Sequence, residues 1–397
     1  MIKKSPEDFV VMEITGKGVA LEPGMRYSPA GLSEEPCENG EFTTFVLEKK
    51  SWDTINALIK IAGNVNRGRK SISYAGTKDK VSVSVQLASI YGTVPETLER
   101  VRIKDINING AWKSREAVSM GSNLGNKFRI RVSGADFPDN AEKVLEELGG
   151  RFPNYFDRQR FGYRMNNAKI GMHILGNELE CAAMEFLTGT SNESNPDAIE
   201  ARKKLAEEQD FARALTYFPR YLRAERAMIA YLAKEKNYAN AFIAMPRGLS
   251  IMFIHAVEAE IFNKALEERI KANDFETGLS FKQNFYGFPD SNSLNAGSGD
   301  FIAAPLIGYE TKETEISSYE KEILESMKIS KSDFKIRSLP QLSMKGAYRS
   351  IFSPIKDASY AVEGSDSVSV SFSIPAGSYA TILMGEIIKT SNPAGTM

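Results

Sequence analysis

Cysteine and histidine are scarce in this sequence, with two residues of each among 397. Cys37 and Cys181 lie far apart and outside any C-x-x-C pair, which argues against a disulfide framework or a zinc site. His173 and His255 are equally isolated, so we expect each to lie on a helix face rather than to bind a metal. These absences predict a cytoplasmic protein with no metal ion.

Motifs for nucleotide cofactors and membrane insertion are also absent. The sequence has no Walker A motif and no strand-linked G-x-G-x-x-G, so no cofactor of this kind is predicted. Its first residues lack the apolar core of a signal peptide, and no apolar run reaches the roughly 18 residues that a membrane helix needs. The formal net charge is -1, so binding of nucleic acid would have to depend on local basic patches.

The composition is that of a globular protein, with 42% hydrophobic and 25% charged residues. Alternating apolar residues predict strands, and helical spacing predicts a helix over residues 52–62, capped by Ser51 and stopped at Gly63. The strands are predicted at residues 42–48, 127–132 and 367–374. Residues 164–273 look mostly helical, with a loop at 188–195, and a short helix is predicted at 140–148.

This order predicts an α+β protein in which one domain is interrupted by another. We expect a catalytic domain formed by residues 1–160 and 340–397, with a central mixed or antiparallel sheet. A mostly helical insertion would occupy residues 161–339. A plain tandem of two domains is the alternative, since the length exceeds that of a usual single domain.

Asp79 is the candidate catalytic residue. It follows Gly76 and Thr77, a predicted turn, and precedes an alternating run that begins at Val81 and predicts a half-buried strand. A carboxylate at a strand edge would be positioned by the backbone. The ordinary interpretation of the tripeptide Lys-Asp-Lys is a solvated turn.

The two neighbouring lysines, Lys78 and Lys80, should point away from the face that Asp79 uses, because side chains alternate along an extended segment. They would then belong to an exposed basic rim. A cation close to Asp79 must come from elsewhere, and Arg349 is a candidate because its segment leads back into the catalytic domain. A purely structural role for Arg349 is the alternative.

Basic residues cluster in two windows of the chain. The first contains a single acid, Asp79, and comprises Lys60, Arg67, Arg69, Lys70, Lys78 and Lys80. The second contains a single acid, Asp157, and comprises Arg151, Arg158, Arg160, Arg164 and Lys169, interleaved with Phe152, Tyr155, Phe156, Phe161 and Tyr163. Basic residues that follow phosphates, mixed with rings that stack on bases, suit a nucleic-acid surface. The alternative is that the rings lie in the core and the arginines extend outward.

Gly125, Asn126 and Phe128 form a third element, a tight turn into the predicted strand at residues 127–132. Phe128 could present its ring at the edge of the sheet. Taken alone, it would be a core residue.

Together these segments resemble the TruD family of tRNA pseudouridine synthases. The family pattern G-x-K-D-x-x-A-x-T-x-Q is matched at Gly76, Lys78, Asp79 and Gln86, with Ser82 in place of alanine and Ser84 in place of threonine. G-N-x-F is matched at Gly125, Asn126 and Phe128. N-Y-F-G-x-Q-R-F-G is matched at Asn154, Tyr155, Phe156, Gln159, Arg160, Phe161 and Gly162, with Asp157 in place of glycine. Both chain ends, at residues 6–9 and 375–381, also look like those of the family, although Gly385 stands where an arginine is common.

The resemblance implies a circularly permuted pseudouridine-synthase domain with a TruD-specific insertion, acting on uridine 13 of tRNA with Asp79 as the catalytic aspartate. It also implies that Asn126 orients Asp79 or the flipped base and that Phe128 stacks on that base. Lys78 and Arg349 are further candidates for substrate binding. Phosphate contacts are expected from Arg67, Arg69, Lys70, Arg158 and Arg160.

Isomerisation of uridine involves no net redox change and adds no group, so it requires no cofactor. Asp79 could act as a nucleophile on the sugar or as a base that promotes glycal formation, and the sequence does not choose between them. A catalytically silent RNA-binding or RNA-folding protein on the same scaffold is the competing hypothesis.

Overall fold

A computed structural model of the chain describes residues 5–32, 34–35, 37–133, 141–246, 248–274, 279–281, 301–363 and 367–388. They form two compact units. The first holds the described residues up to Phe152 and from Phe352 onward, and the second holds those between Pro153 and Ile351. Within this described part, every helix is too short or too polar to span a lipid bilayer.

Strands and helices alternate in the first part of the chain, and helices dominate its middle. The strands are β1 Phe9–Ile14, β2 Phe42–Lys50, β3 Ile72–Tyr74, β4 Val83–Tyr91, β5 Ile106–Ser114, β6 Gly125–Ser133, β7 Arg151–Pro153, β8 Leu279–Phe281, β9 Phe301–Leu306, β10 Ala347–Ser350, β11 Phe352–Pro354, β12 Lys356–Val362 and β13 Ser367–Pro375. The helices are α1 Thr54–Asn64, α2 Pro95–Glu99, α3 Ala141–Glu147, α4 Asn167–Leu175, α5 Leu179–Thr188, α6 Pro196–Glu208, α7 Phe211–Tyr217, α8 Arg223–Leu232, α9 Tyr238–Ile243, α10 Leu249–Ala272, α11 Ser318–Met327 and α12 Ala380–Ile388.

The first unit is built on a mixed sheet with strand order β12-β13-β6-β1-β4-β2-β5, and β3 pairs with β4 off this path. β1 and β4 run parallel, whereas β1 pairs antiparallel with β6, and β6 pairs antiparallel with β13. The predicted α+β class with a mixed central sheet is confirmed. The C-terminal strand completes the sheet that the N-terminal part begins.

Hydrophobic alternation predicted three strands of this sheet. The predicted strand at 367–374 is β13, and its apolar row, Val368, Val370, Phe372 and Ile374, is buried. The predictions at 42–48 and 127–132 lie within β2 and β6. β2 contacts an apolar cluster on each of its faces, with Phe45 and Leu47 on one side and Val46 on the other.

Helix α1 begins and ends later than predicted. Its N-cap is Asp53, whose carboxylate accepts a hydrogen bond from the main-chain N–H of Asn56 at 2.9 Å. Ser51, the predicted cap, has φ of 59°, and the helix continues through Gly63 to Asn64. A carboxylate that reaches the first-turn N–H groups is an effective cap, so Asp53 displaces Ser51 from this role.

The second unit is mostly helical, as predicted for residues 164–273. Residues 196–218 form two helices, α6 and α7, because Gln209 adopts a left-handed conformation between them. The loop predicted at 188–195 joins α5 to α6, and a three-stranded sheet with order β10-β9-β8 completes the unit. Close packing of α4 on α10 requires Gly171, since a Cβ there would lie 2.3 Å from the carbonyl oxygen of Phe253.

The short helix predicted at 140–148 is α3 of the first unit. Its predicted first residue lies outside the described residues. The helix closes on Gly149 and Gly150, which both have positive φ, at 57° and 76°. This is the ending that glycine favours.

Candidate active site

Asp79 lies in the loop that joins β3 to β4. β4 begins at Val83, and Val81 is 49% exposed, so the prediction that the strand starts at Val81 is wrong. Pairing of β4 with β2 begins at Val83, opposite Lys50, whereas main-chain groups of Gly76, Lys78 and Asp79 bond to side chains. The carboxylate of Asp79 therefore belongs to a half-buried loop residue held next to a sheet.

Four side chains fix this loop through its main-chain groups. Lys49 and Ser82 both donate to the carbonyl oxygen of Asp79, at 2.9 and 2.7 Å. The amide of Gln86 donates to the carbonyl oxygen of Gly76 at 2.9 Å, and the hydroxyl of Thr54 accepts from the N–H of Lys78 at 2.9 Å. Lys49, Gln86 and Thr54 belong to β2, β4 and α1, whereas Ser82 lies in the loop itself. Regular elements therefore supply three of the four groups, which favours accurate positioning of Asp79.

Lys49 is a buried cation beside Asp79 that sequence reasoning missed. Its exposure is 0%, and it also donates to the carbonyl oxygen of Lys78 at 3.4 Å. Burial lowers the pKa of Lys49 to about 8, the charges of Asp53 and Asp79 oppose this shift, and the charge of Lys78 adds to it. The sequence does contain a signal for this burial. Phe45, Leu47 and Lys49 are every second residue of β2, so Lys49 lies on the same buried face as the two apolar residues.

Lys78 is buried, contrary to the prediction that it belongs to an exposed rim. Its ammonium pairs with the carboxylate of Glu13 at 2.9 Å, and both side chains are almost fully buried. The other carboxylate oxygen of Glu13 accepts from the N–H of Leu87 at 3.0 Å. An acid inside the apolar run of β1 was the sequence signal for such a pair, because a buried charge needs a partner.

One face of the sheet collects the polar residues around this loop. Directly paired residues share a face, and one row of pairs joins Lys49 to Ser84, Ser84 to Val11, and Val11 to Phe128. Residues two positions away along a strand share that face. Gln86, Glu13 and Asn126 therefore lie on the same side as Lys49.

Asn126 is paired across the sheet with Glu13. Its side-chain oxygen is buried and accepts no hydrogen bond from the part of the chain that the structure describes. Buried acceptors are normally satisfied, so this oxygen is an available acceptor on the polar face.

Phe128 lies in the apolar core of the first unit. It is 7% exposed, its ring stacks on that of Phe372 at a centroid distance of 5.5 Å, and it meets the edge of Phe9 at 5.9 Å. This is the placement expected for a core residue, and the stacking role implied by the resemblance stays a prediction.

The first basic window is exposed apart from Lys78. Arg67, Arg69 and Lys70 lie on the surface between α1 and β3, and Lys80 is also exposed. Arg67 donates through Nε to the carbonyl oxygen of Gly92 at 2.8 Å. Their charges are thus available on the unit that carries Asp79.

The second basic window divides into structural and exposed residues. Arg164 is buried and donates to the carbonyl oxygens of Phe186 and Gly189, each at 2.8 Å, and burial together with the charge of Arg202 lowers its pKa to about 10. Lys169 pairs with Glu185 at 2.7 Å.

The remaining arginines of this window divide in the same way. Arg158 is exposed, whereas Arg160 is half-buried with its guanidinium 5.1 Å from the ring centre of Phe156. Phe152 and Phe156 are core residues, and Tyr163 is 69% exposed. The core alternative thus holds for Phe152 and Phe156, and nucleic-acid binding by the exposed residues stays a prediction.

Arg349 binds the Asn154 segment of the second unit. Its guanidinium donates through Nε to the carbonyl oxygen of Asn154 at 2.9 Å and through Nη2 to the side-chain oxygen of Asn154 at 2.6 Å. It also lies over the ring of Phe156, 4.0 Å from its centre. These contacts hold the segment that carries the N-Y-F sequence.

Comparison with known proteins shows which family carries the sequence segments described above. The sequence matches the family described as tRNA pseudouridine synthase D (TruD) over residues 1–284 and 289–387. The chain belongs to the TruD family. It is 33% identical to a "Probable tRNA pseudouridine synthase D" of Archaeoglobus fulgidus, with 98% of this chain and 94% of the relative covered. A protein of the same description from Methanococcus maripaludis is 34% identical, with 97% and 94% covered.

Structural comparison agrees with this assignment to TruD. A crystal structure of a Methanosarcina mazei protein assigned to TruD matches with a TM-score of 0.74 and 28% identity. The match covers 98% of this chain and 93% of that chain.

Two departures from the TruD patterns have local structural effects. Ser82, in place of alanine, supplies one of the two hydrogen bonds to the carbonyl oxygen of Asp79. Asp157, in place of glycine, is the N-cap of the short 3₁₀ helix Arg158–Phe161 and accepts from the N–H of Gln159 at 3.5 Å. Both substitutions add local order to segments that carry the family patterns.

Proposed function

We propose that this TruD-family chain isomerises uridine to pseudouridine in tRNA, at uridine 13, with Asp79 as the catalytic carboxylate. The observation that carries the proposal is the anchored loop of Asp79, in which Lys49, Ser82, Gln86 and Thr54 hold the main chain. A solvated Lys-Asp-Lys turn would not need four buried or half-buried side chains to position it. Relatives described as tRNA pseudouridine synthases support the choice of substrate.

The reaction breaks the C–N glycosidic bond of uridine and forms a C–C bond to the same sugar. Asp79 serves either as a nucleophile toward C1′ or as the base that removes the proton from C2′. Both routes need an ionised carboxylate in a fixed position. Lys49 and Asp79 carry opposite charges that attract one another, and the charge of Asp79 counteracts the lowering of the Lys49 pKa by burial.

The target base must leave the RNA stack, which costs a few kcal/mol. The available side-chain oxygen of Asn126 suits the N3–H group of an extruded uracil, because that group is a hydrogen-bond donor. Stacking on Phe128 would recover roughly 1–3 kcal/mol, and it requires the base to reach a ring that Phe372 and Phe9 now largely cover. Lys78 acts through the loop, where its pair with Glu13 holds the residue next to Asp79.

Phosphate binding is assigned to exposed basic residues on each unit. These are Arg67, Arg69 and Lys70 on the first unit, and Arg158 with the half-buried Arg160 on the second. Such contacts orient the RNA without reading its sequence. Within the second unit, Arg349 holds Asn154.

The test is an assay of Asp79→Asn on transcribed tRNA, with Asp53→Asn as the matched control. Asp53 also lies near Lys49, and asparagine serves as a helix cap nearly as well as aspartate. We expect Asp79→Asn to bind tRNA but form no pseudouridine, and Asp53→Asn to retain activity. Pseudouridine formation by Asp79→Asn at the wild-type rate would show that the catalytic assignment is wrong.

Three further measurements test the remaining parts of the proposal separately. A tRNA with cytidine at position 13 should not react, and pseudouridine at another position would overturn the choice of uridine 13. If the wild-type chain binds tRNA and modifies no position, the silent RNA-binding hypothesis is favoured. A target uridine deuterated at C2′ distinguishes the two roles of Asp79, because only the glycal route breaks the C2′–H bond.

A further inference from the structure

Three side chains with metal-binding atoms meet where α4 joins α5 in the second unit. His173 lies in the last turn of α4, Glu178 is the N-cap of α5, and Cys181 lies in its first turn. One ligand atom from each lies within 4.8 Å of the other two. Among the described residues, this is the one group of three histidine, cysteine, aspartate or glutamate side chains whose ligand atoms lie this close together.

The turn between the two helices is fixed by main-chain hydrogen bonds. The N–H of Glu178 donates to the carbonyl oxygen of His173 at 2.8 Å, and the N–H of Asn177 donates to that of Ile174 at 3.0 Å. Asn177 has a φ of 56°, a left-handed conformation that asparagine tolerates. The main chain thus sets the spacing of the three side chains.

Both helices are anchored on their opposite sides. Ile170 and Ile174 of α4 and Ala182 and Ala183 of α5 are fully buried in the core of the second unit. The ligand atoms are therefore carried by two packed helices rather than by a mobile loop, which reduces the ordering cost of binding a ligand.

The donor set is that of a zinc site. Zn²⁺ binds imidazole nitrogen, thiolate sulfur and carboxylate oxygen in tetrahedral geometry, with bonds of about 2.0 to 2.3 Å. Ligand atoms in such a site lie about 3.3 to 3.8 Å apart. His173 Nδ1 and Glu178 Oε2 are 2.6 Å apart, so a metal would replace the hydrogen bond between them.

We propose that His173, Glu178 and Cys181 bind Zn²⁺, with water as the fourth ligand, and that the metal ties α4 to α5. The side chains of His173 and Glu178 are 28% and 58% exposed, so the site is open on its solvent side. This differs from the expectation drawn from sequence, which treated the histidines and cysteines as isolated. His173 and Cys181 are in fact separated by the last two residues of α4, the linker at residues 176–178 and the first two residues of α5.

The chain offers matched controls for each ligand. His255 Nδ1 pairs with Glu258 Oε2 at 2.8 Å on α10, which reproduces the histidine–carboxylate pair, and this pair is not part of the three-residue group. Cys37 is the second free cysteine and lies in the first unit. Neither residue belongs to the proposed active site.

The test is titration of the untagged, full-length protein with Co²⁺ after removal of metals by a chelator, followed by displacement with Zn²⁺. We expect one equivalent of Co²⁺ to produce a thiolate-to-metal charge-transfer band, which Zn²⁺ abolishes. Cys181→Ser should lose the band, and His173→Ala should bind Co²⁺ about tenfold more weakly or worse. Cys37→Ser and His255→Ala should behave as the wild type.

Thermal unfolding provides a second measurement for variants whose Co²⁺ absorption spectra do not give a clear result. Excess Zn²⁺ should raise the Tm of the wild type, Cys37→Ser and His255→Ala, because a metal that binds the folded state stabilises it. Cys181→Ser should show no such rise. The proposal is overturned if the wild type gives no charge-transfer band, if Cys181→Ser keeps it, or if His173→Ala binds as tightly as the wild type.

Discussion

Lys49 donates a hydrogen bond from its ammonium to the main-chain carbonyl oxygen of Asp79, at 2.9 Å and across thirty residues of sequence. Because Lys49 is fully buried, this bond is shielded from water, and the positive charge acts on the Asp79 loop at close range. One side chain therefore both fixes the loop and supplies the cation that the proposed mechanism needs.

Replacing Lys49 should lower turnover more than substrate binding. Lys49→Met leaves the carbonyl oxygens of Lys78 and Asp79 without this donor. The loss should destabilise the native position of the Asp79 loop by about 1–3 kcal/mol. We expect kcat to fall about 10- to 100-fold with little change in KM. The control is Lys50→Met, which removes the neighbouring half-buried lysine that pairs with Glu7. Equal losses in both variants would contradict a specific role for Lys49.

Stability should depend on pH through the same residue. Burial lowers the pKa of Lys49 from 10.5 to about 8 in the folded protein. Between these values the unfolded chain binds more protons than the folded chain, so the contribution of Lys49 to the free energy of unfolding rises with pH. Urea titrations from about pH 8 to 10 should show this rise in the wild type and a smaller slope in Lys49→Met. Parallel slopes would mean that the pKa of Lys49 is not lowered.

The buried pair of Glu13 and Lys78 should give a non-additive mutant cycle. Removal of one partner leaves a buried charge without its counter-ion, which costs about 3–5 kcal/mol. We expect Glu13→Leu and Lys78→Met each to lower the free energy of unfolding by that order, and the double variant to lose less than the sum of the two. Urea denaturation measures all four proteins. Strict additivity would show that the pair is not coupled.

Part of the sheet could be predicted from sequence, where a strand alternates cleanly between apolar and polar residues. The apolar row of β13 is legible in residues 367–374 without knowledge of any partner strand. The surroundings of Asp79 were less accessible, because the loop is held by residues from β2, β4 and α1 that only the folded sheet brings together. Lys49 and Lys50 are adjacent and identical, yet Lys49 is fully buried and Lys50 is half-buried, because successive side chains of β2 point to opposite faces of the sheet.

Sequence patterns also failed to predict the burial of charged residues whose partners come from distant parts of the chain. Lys78 has the same side-chain chemistry as Lys80, yet a carboxylate buried in β1 draws it inward. Arg164 lies among exposed arginines in sequence, yet the carbonyl oxygens at the end of α5 bind it in the core. A cluster of basic residues in a sequence thus indicates a basic region of the protein. Buried partners then determine which of those lysines and arginines remain exposed for the proposed contacts with RNA.

The proposed stacking role of Phe128 can be separated from its role in the core. Phe128→Leu and Phe372→Leu remove neighbouring rings of the same cluster, so we expect similar losses of stability. If Phe128 stacks on the target base, Phe128→Leu should lower kcat/KM about tenfold more than Phe372→Leu, which corresponds to a stacking energy of about 1–3 kcal/mol. Steady-state kinetics and urea denaturation of both variants provide the comparison. Equal kinetic losses would assign Phe128 to the core alone.

Arg158 and Lys169 belong to the same basic window, and only Arg158 is predicted to contact phosphate. Arg158 is exposed, whereas the charge of Lys169 is already paired with Glu185 at 2.7 Å. A lost phosphate contact releases one counterion fewer, so Arg158→Ala should weaken tRNA binding and reduce the slope of log K against log salt by about 0.7 to 0.9. Lys169→Ala should leave the slope unchanged. Binding measured over a range of salt concentrations tests both variants, and an unchanged slope in Arg158→Ala would remove this arginine from the RNA surface.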